Sequence, residues 1–412
     1  MVHSRLRTLM LPRELLASRG RSVRVEIGSV IPPRRLARFF ESDKSRDTAK
    51  RVTEYLRVRT YILKGRSTQA PGTENTTPRS EARRPARTIV AARPSERVAA
   101  DVAALPACQH LVESGSLQVL YGSAEQLPNV LHEIGRLRET AFRLVGEGTG
   151  HEIDLDRFDA HYLHLFVWNA QQRHVVGAYR IGQTDELLKR FGAAGLYTST
   201  LFNFSPRLLE QIDPALELGR SFVVPEYQRD YAPLLLLWKG IGRFVVTHPR
   251  YRRLFGAVSI SDAFQSMTKQ LLMAFLRTHS FDHALAALVH PRNPPKLPRF
   301  RDADAAGAAT LVTDVADVEE LVGEIESNCR SVPVLLRQYL KLNAKLLGFN
   351  VDPDFGDVLD GLVLADLVTV DRAILTRYLG REGAAAFLSH HGAIAAVQPR
   401  VNRESDGRWS DR

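Results

Sequence analysis

The 412-residue chain predicts a mixed α/β fold, one central sheet flanked by helices. Three observations point there. From about Pro106 onward, short strand-like runs alternate with stretches of helical period. Two of those runs, HYLHLFVWN and VVGAYRIGQ, are separated only by the polar stretch Gln171 to His174, which reads as a hairpin. An apolar content of 44 % is enough for sizeable cores.

Element by element, the chain divides into three parts, 1–65, 66–105 and 106–412. In the first, Val23, Val25 and Ile27 alternate with Arg24 and Glu26, a short strand stopped by Pro32 and Pro33 and followed by helix to about Leu63. From Lys64 to about Ala100 the composition turns to Ser, Thr, Pro, Arg and Ala, too polar to bury a core, so 66–105 is expected to be a disordered basic linker. The third part opens with a strand, LQVLYG, and an amphipathic helix, LPNVLHEIGRLRETAFRLV; the hairpin and short helices follow. Then come the strand ELGRSFVV, a polar loop, a helix opened by Pro233, the strand LFGAVSIS and a helix from Phe264 to Thr278. The prolines of PRNPPKLPRF mark a loop. Beyond Asp314 the reading is helix, a second helix from Val332 running through LKLNAKLLGF, and a strand, VLDGLVLADL.

The formal net charge is +10, and residues 1–100 hold 23 Lys and Arg against 9 Asp and Glu, a local net of +14. The rest of the chain is therefore mildly acidic. Such an arm is a solvated segment or one drawn to anionic lipid headgroups; no aromatic–basic module accompanies it, so a nucleic-acid partner is not expected. No apolar run reaches the ~20 residues of a membrane span, and Arg, Pro and Glu interrupt the N-terminus before any signal-peptide core. Cys108 and Cys329 are too few for a disulfide framework or zinc cage and are expected to be buried small hydrophobes in a reducing compartment. The expected location is the cytoplasm, with peripheral contact at the inner face of the membrane.

Glu217 and Arg220 place a carboxylate and a guanidinium three residues apart at the mouth of an apolar run. They form either a surface ion pair or a site, and the strand, loop and helix N-terminus that follow suit the phosphate or pantetheine arm of an acyl carrier. A Glu beside such an arm could deprotonate an amine. In HEIDLDRFDAHY, Asp154, Asp156 and Asp159 cluster with Glu152; the spacing does not match a calcium loop, leaving recognition of a cation or a solvated turn. Arg180 ends an apolar strand and, if buried, needs a carboxylate such as one of these aspartates. His161 and His164 fall on opposite faces of a strand and are read as ordinary strand residues. No metal site is expected, and neither a GxSxG elbow nor a phosphate loop is present.

In order, Arg138 and Phe142 in RLRETAF, Asp156 and Asp159 in DRFD, Arg180 in GAYR, and Glu217 and Arg220 in ELGRSFVV resemble the acyl-homoserine-lactone synthases and their GNAT-superfamily relatives. The phrases HYLHLFVW, GLYTSTLF, LLLLWKGIG and FNVDPDFGDVLDGL resemble the ornithine-lipid-type, haemolysin-like N-acyltransferases over residues 110–400. The resemblance implies a GNAT fold that moves a fatty acyl group, often 3-hydroxylated, from acyl carrier protein to the amine of an amino acid such as ornithine, with no resident cofactor. Glu217 would be the general base, Arg220 its catalytic neighbour, and Arg138, Phe142, Asp156, Asp159 and Arg180 the substrate-binding network. Backbone N–H groups at Val223 and Val224 would polarise the thioester carbonyl, and Gln228, Arg229 and Ala232 would border the donor. The loop after Gln228 lacks the glycines of a coenzyme A pyrophosphate cradle, which favours acyl carrier protein over acyl-CoA as donor.

Residues 1–65 resemble the last block of a PlsC-type glycerolipid acyltransferase, without the HxxxxD motif its chemistry needs. Two other functions stay open: O-acyl transfer to a lysophospholipid or glycerolipid, and a non-catalytic membrane-associated role.

Overall fold

The computed structural model describes residues 20, 25, 27–41, 46–66, 86–296, 315–326 and 332–393. Among the described residues two helices come first, α1 (Pro33–Glu41) and α2 (Arg46–Arg66), then α3 (Ser95–Ala103). Strands β1 (His110–Ser114) and β2 (Leu117–Ser123) lead to α4 (Pro128–Leu144), and β3 (Leu163–Asn169) and β4 (His174–Gln183) form the expected hairpin. Next come α5 (Thr184–Phe191), a 3-10 turn at Tyr197–Thr200, β5 (Phe202–Phe204), α6 (Pro206–Ile212) and β6 (Ala215–Val223). Then follow α7 (Ala232–Thr247), β7 (Arg253–Ile260), α8 (Ser266–His279), α9 (His283–Ala286), β8 (Val289–Pro291), α10 (Val315–Ile325) and α11 (Val334–Lys341). The described chain closes with β9 (Lys345–Asp352), β10 (Val358–Asp366), α12 (Arg372–Leu379) and α13 (Arg381–His390).

Eight strands make one sheet in the order β1-β2-β3-β4-β6-β7-β10-β9. Every neighbouring pair is antiparallel except β6 and β7, which run parallel. That exception shapes the molecule. A parallel pair needs a crossover, and α7 supplies it, begun by Pro233, whose missing N–H suits a first helical turn. Its apolar face, including Leu237, Ile241 and Phe244, packs on one side of the sheet with Leu165, Leu216 and Leu218. On the other side, α3 and α4 cover Phe166, Ala178 and Phe222, while Leu196, Phe202 and Leu208 cover Phe255 and Leu362.

Several expectations are corrected. Residues 86–105 are not linker: the backbone N–H of Arg87 and Val90 donate to the carbonyls of Gly150 and Glu152, and Asp101 caps α4 through the N–H of Asn129 and Val130. The helix from Val332 ends at Lys341; Lys345 to Asp352 is strand β9, paired with β10. Val25 and Ile27 belong to no strand and are exposed, and Val23, Arg24 and Glu26 lie outside the described residues. Cys108 is exposed, and Cys329 lies outside the described residues. His161 precedes β3 in a turn. Tyr55 and Val58 of α2 join the main core, and Arg35 and Arg59 pair with acidic residues of α10. Among the described residues no helix is long and apolar enough to cross a membrane.

Candidate active site

The site begins where β6 and β7 stop pairing. Their parallel register covers Ala215↔Arg253, Leu216↔Leu254 and Glu217↔Phe255 and goes no further. On its other edge β6 pairs with β4, but Gly219↔Arg180 and Ala178↔Phe222 leave Arg220 and Ser221 facing Tyr179 alone. This is a β-bulge, which bends a strand and takes its extra residue out of the ladder. Arg220 has a φ of 52°, the left-handed region that a non-glycine residue adopts only when its surroundings hold it there. Bulge and fork together open a cavity lined by Gly219, Arg220 and Ser221 on one strand and Ala257, Val258 and Ser259 on the other.

Arg220 is held by the charged network foreseen from DRFD and GAYR. Arg138, fully buried on α4, donates to Asp154 at 2.9 Å and Asp159 at 2.9 Å. Arg180 donates to Asp156 at 2.7 Å and lies 3.3 Å from Asp159; Arg220 donates to Asp156 at 3.4 Å and lies 3.8 Å from Asp154. Three guanidinium groups thus face three carboxylates, so the Asp154–Asp159 loop is internally neutralised. Burial alone would raise the Asp159 carboxyl, but Arg138 and Arg180 hold it well below the ordinary carboxylate range. His164 is buried and bonded to the Asp159 carbonyl at 2.8 Å; burial pushes it down to about 4, so it is neutral at pH 7. Glu152 stands at the exposed rim, 3.9 Å from Arg87.

Glu217 is 1 % exposed. Its carboxylate accepts hydrogen bonds from the Tyr162 hydroxyl, the Tyr197 N–H at 3.2 Å and the Thr198 N–H at 2.6 Å. Burial raises its pKa despite these donors. It anchors the 3-10 turn that carries Tyr197, whose ring lies 4.9 Å from the Arg220 guanidinium and 5.0 Å from that of Arg180. Phe142 meets Phe355 edge to face at 5.0 Å and lines the fork cavity. A second cavity, about 530 Å³ and so within the range of small-molecule sites, lies over the Asp154–Asp156 loop. Tyr197, Arg220, Asp352 and Phe355 line both.

The residues assigned to the donor lie past the bulge, and none of Val223, Val224, Gln228, Arg229 or Ala232 lines either cavity. The Val224 N–H donates to the Val176 carbonyl at 2.9 Å and is therefore not free for a thioester oxygen, a correction to its expected role. Gln228 donates to the Val223 carbonyl at 2.9 Å, and the Ala232 N–H is taken by Asp230 at 2.9 Å. Arg229 is exposed.

Three acidic residues escaped the sequence reading: Glu147, Asp352 and Asp360, all lining the fork cavity. Burial raises Asp352, and pushes Glu147 and Asp360 up to about 7 each. The signal for Asp360 was present, since an aspartate inside VLDGLVLAD poses the same question of a partner as Arg180 in its apolar strand.

The sequence profile of the family described as "Acetyltransferase (GNAT) domain" matches residues 137–239, which run from α4 into α7. A glycine N(alpha)-acyltransferase of Bacteroides thetaiotaomicron is 33 % identical over 272 residues, covering 62 % of this chain and 80 % of that protein. A second, from Phocaeicola vulgatus, is 32 % identical over 255 residues, 58 % of this chain and 76 % of its own length. Among solved structures, the acyl-homoserine-lactone synthase BjaI with SAM and isopentyl-CoA overlaps 68 % of this chain and 90 % of its own at 13 % identity, with a TM-score of 0.30. LasI overlaps 39 % and 78 % at 18 % identity and a TM-score of 0.26. With four-fifths of a curated relative matched at one-third identity, the chain belongs to the GNAT N-acyltransferase family that contains these glycine N(alpha)-acyltransferases, and it is an amide-forming acyltransferase.

Proposed function

We propose that the protein transfers a fatty acyl group, 3-hydroxylated or plain, from a pantetheine thioester to the amine of a small amino acid, making an acylated amino acid for membrane lipid. The observation that carries this reading is the fork itself. β6 and β7 part after Glu217↔Phe255, and the opening is lined by bulge residues on one side and reaches buried acidic groups on the other. An extended thioester arm can enter between two parted strands, where strand backbone is available to hydrogen-bond it. Arg220, held by Asp154 and Asp156 and next to Tyr197 and Phe355, fixes the bulge that lines the opening.

Acyl carrier protein is the donor favoured by the glycine-poor loop after Gln228, with acyl-CoA as the other source of the same arm. The relatives' names make glycine an acceptor to test beside ornithine. The basic N-terminal region supports work at an anionic membrane surface on the cytoplasmic side. The test is to incubate the protein with 3-hydroxypalmitoyl carrier protein or palmitoyl-CoA and with glycine, ornithine or a lysophospholipid, then identify products by mass spectrometry. An N-acyl amino acid is expected. An ester of the lysophospholipid with no amide would contradict the reading.

A further inference from the structure

We infer that Asp360, not Glu217, is the group that takes the proton from the acceptor's ammonium, with Ser259 positioning it and Glu217 acting only as an anchor for the Tyr197–Thr200 turn. This rests on the reading of the fork as the site of acyl transfer. The two carboxylates differ in geometry. Glu217 lines neither cavity, and its oxygens are occupied by Tyr162, Tyr197 and Thr198. Asp360 is 2 % exposed and lines the fork cavity; its Oδ1 accepts from the Ser259 hydroxyl at 2.8 Å, and its Oδ2 takes no hydrogen bond from any described residue. One oxygen is thus fixed by Ser259, and the other is left without a donor among the described residues on a side chain that lines the cavity.

The groups around Asp360 are Ser259 opposite it on β7, Asn350 opposite it on β9, Asp352 at the end of β9, Glu147 after α4, Arg220 on the β6 bulge and Tyr197 on the 3-10 turn. Arg220 is engaged with Asp154 and Asp156, which leaves the acidic side of the cavity short of a cation. An alkylammonium meets that need. It passes one proton to Asp360; the neutral amine attacks the thioester carbonyl carbon, a C–N bond forms, the C–S bond breaks, and the thiolate leaves. The thiolate takes the second proton from the former amine nitrogen, yielding amide and thiol, and Asp360 returns its proton to water. A base poised near neutrality suits this step, and burial, with the neighbouring Asp352 and Glu147, brings Asp360 there.

The experiment follows thiol release and amide product with 3-hydroxypalmitoyl carrier protein or palmitoyl-CoA, whichever the wild type uses, and glycine or ornithine for the wild type, Asp360→Asn, Ser259→Ala and Glu217→Gln. Amide formation by the wild type is established first; its failure would defeat the reading of the fork, whereas the variants address Asp360 alone. Asp360→Asn is expected to lose about 100-fold or more in kcat with the donor KM unchanged. Its melting temperature at pH 8 should equal or exceed that of the wild type, because it removes a buried charge. In the wild type kcat should rise with pH through about 7. Ser259→Ala should move that rise to higher pH, since the serine hydroxyl favours the ionised aspartate. Glu217→Gln should leave it in place. Near-normal kcat in Asp360→Asn, an unmoved rise in Ser259→Ala, or loss of the rise in Glu217→Gln would each overturn the assignment.

Discussion

Replacing Arg138 by leucine is expected to lower the unfolding free energy by about 3–5 kcal/mol, the range for removing one partner of a buried ion pair. The side chain is 0 % exposed and bonds both Asp154 and Asp159, so its loss leaves these carboxylates, at 3 % exposure each, with only the longer guanidinium contacts to Arg220 at 3.8 Å and Arg180 at 3.3 Å. Arg180 and Arg220 cannot fully replace it, because each is already shared with Asp156. Denaturant titration at pH 7 measures the loss. The sign with pH is also fixed. Asp159 is held below its ordinary value, so the stability it contributes is present above the normal carboxylate range and lost as pH falls. The gap between wild type and variant should therefore narrow in acid. A variant within 1 kcal/mol of wild type, on the order of an exposed pair, would mean that the network is far less consequential than its burial suggests.

Gly256→Ala is the second large effect, and it acts on the fork. A Cβ at Gly256 would stand 2.1 Å from the Leu218 carbonyl oxygen, a backbone atom that can yield only if β6 moves from β7. Forced overpacking of this kind costs about 1–3 kcal/mol, and the upper end is expected because no flexible side chain can absorb it. Both the melting temperature and acyl transfer should fall. Gly219→Ala is the matched comparison: nothing lies within 4 Å of its Cβ, which would enter open space at the cavity. That variant should keep its melting temperature while its activity falls. Equal melting temperatures for the two variants would show that the strands do not constrain each other at the fork.

Much of this architecture was legible where local pattern and tertiary demand coincide. The β3–β4 hairpin follows from two apolar runs and a short polar turn, and α7 from Pro233 and its leucines. Arg180 could be given an aspartate partner because a guanidinium in an apolar strand has few other ways to be satisfied. What stayed hidden depends on neighbours distant in sequence. The leucines of KLLGFNVD satisfy a helical period as readily as a strand, and pairing with β10 decides between them. Residues 86–105 have linker composition, but they are ordered by hydrogen bonds to the loop at residues 150–152 and by the Asp101 cap. The bulge at Arg220 and Ser221 has no signature in ELGRSFVV, which reads as regular strand through Val223 and Val224, and neither of those two lines the fork cavity. Asp360 does not stand out in the sequence because its companions Glu147, Asp352 and Ser259 arrive from three other segments.

The central claim, that the thioester lies in the fork, is tested most directly by a structure with a non-reactive alkyl thioether of pantetheine, an arm common to coenzyme A and acyl carrier protein. The account predicts its sulfur between Gly219–Ser221 and Ala257–Ser259, within reach of the Asp360 carboxylate. A thioether bound elsewhere, with the space between β6 and β7 closed or filled by side chains, would contradict it.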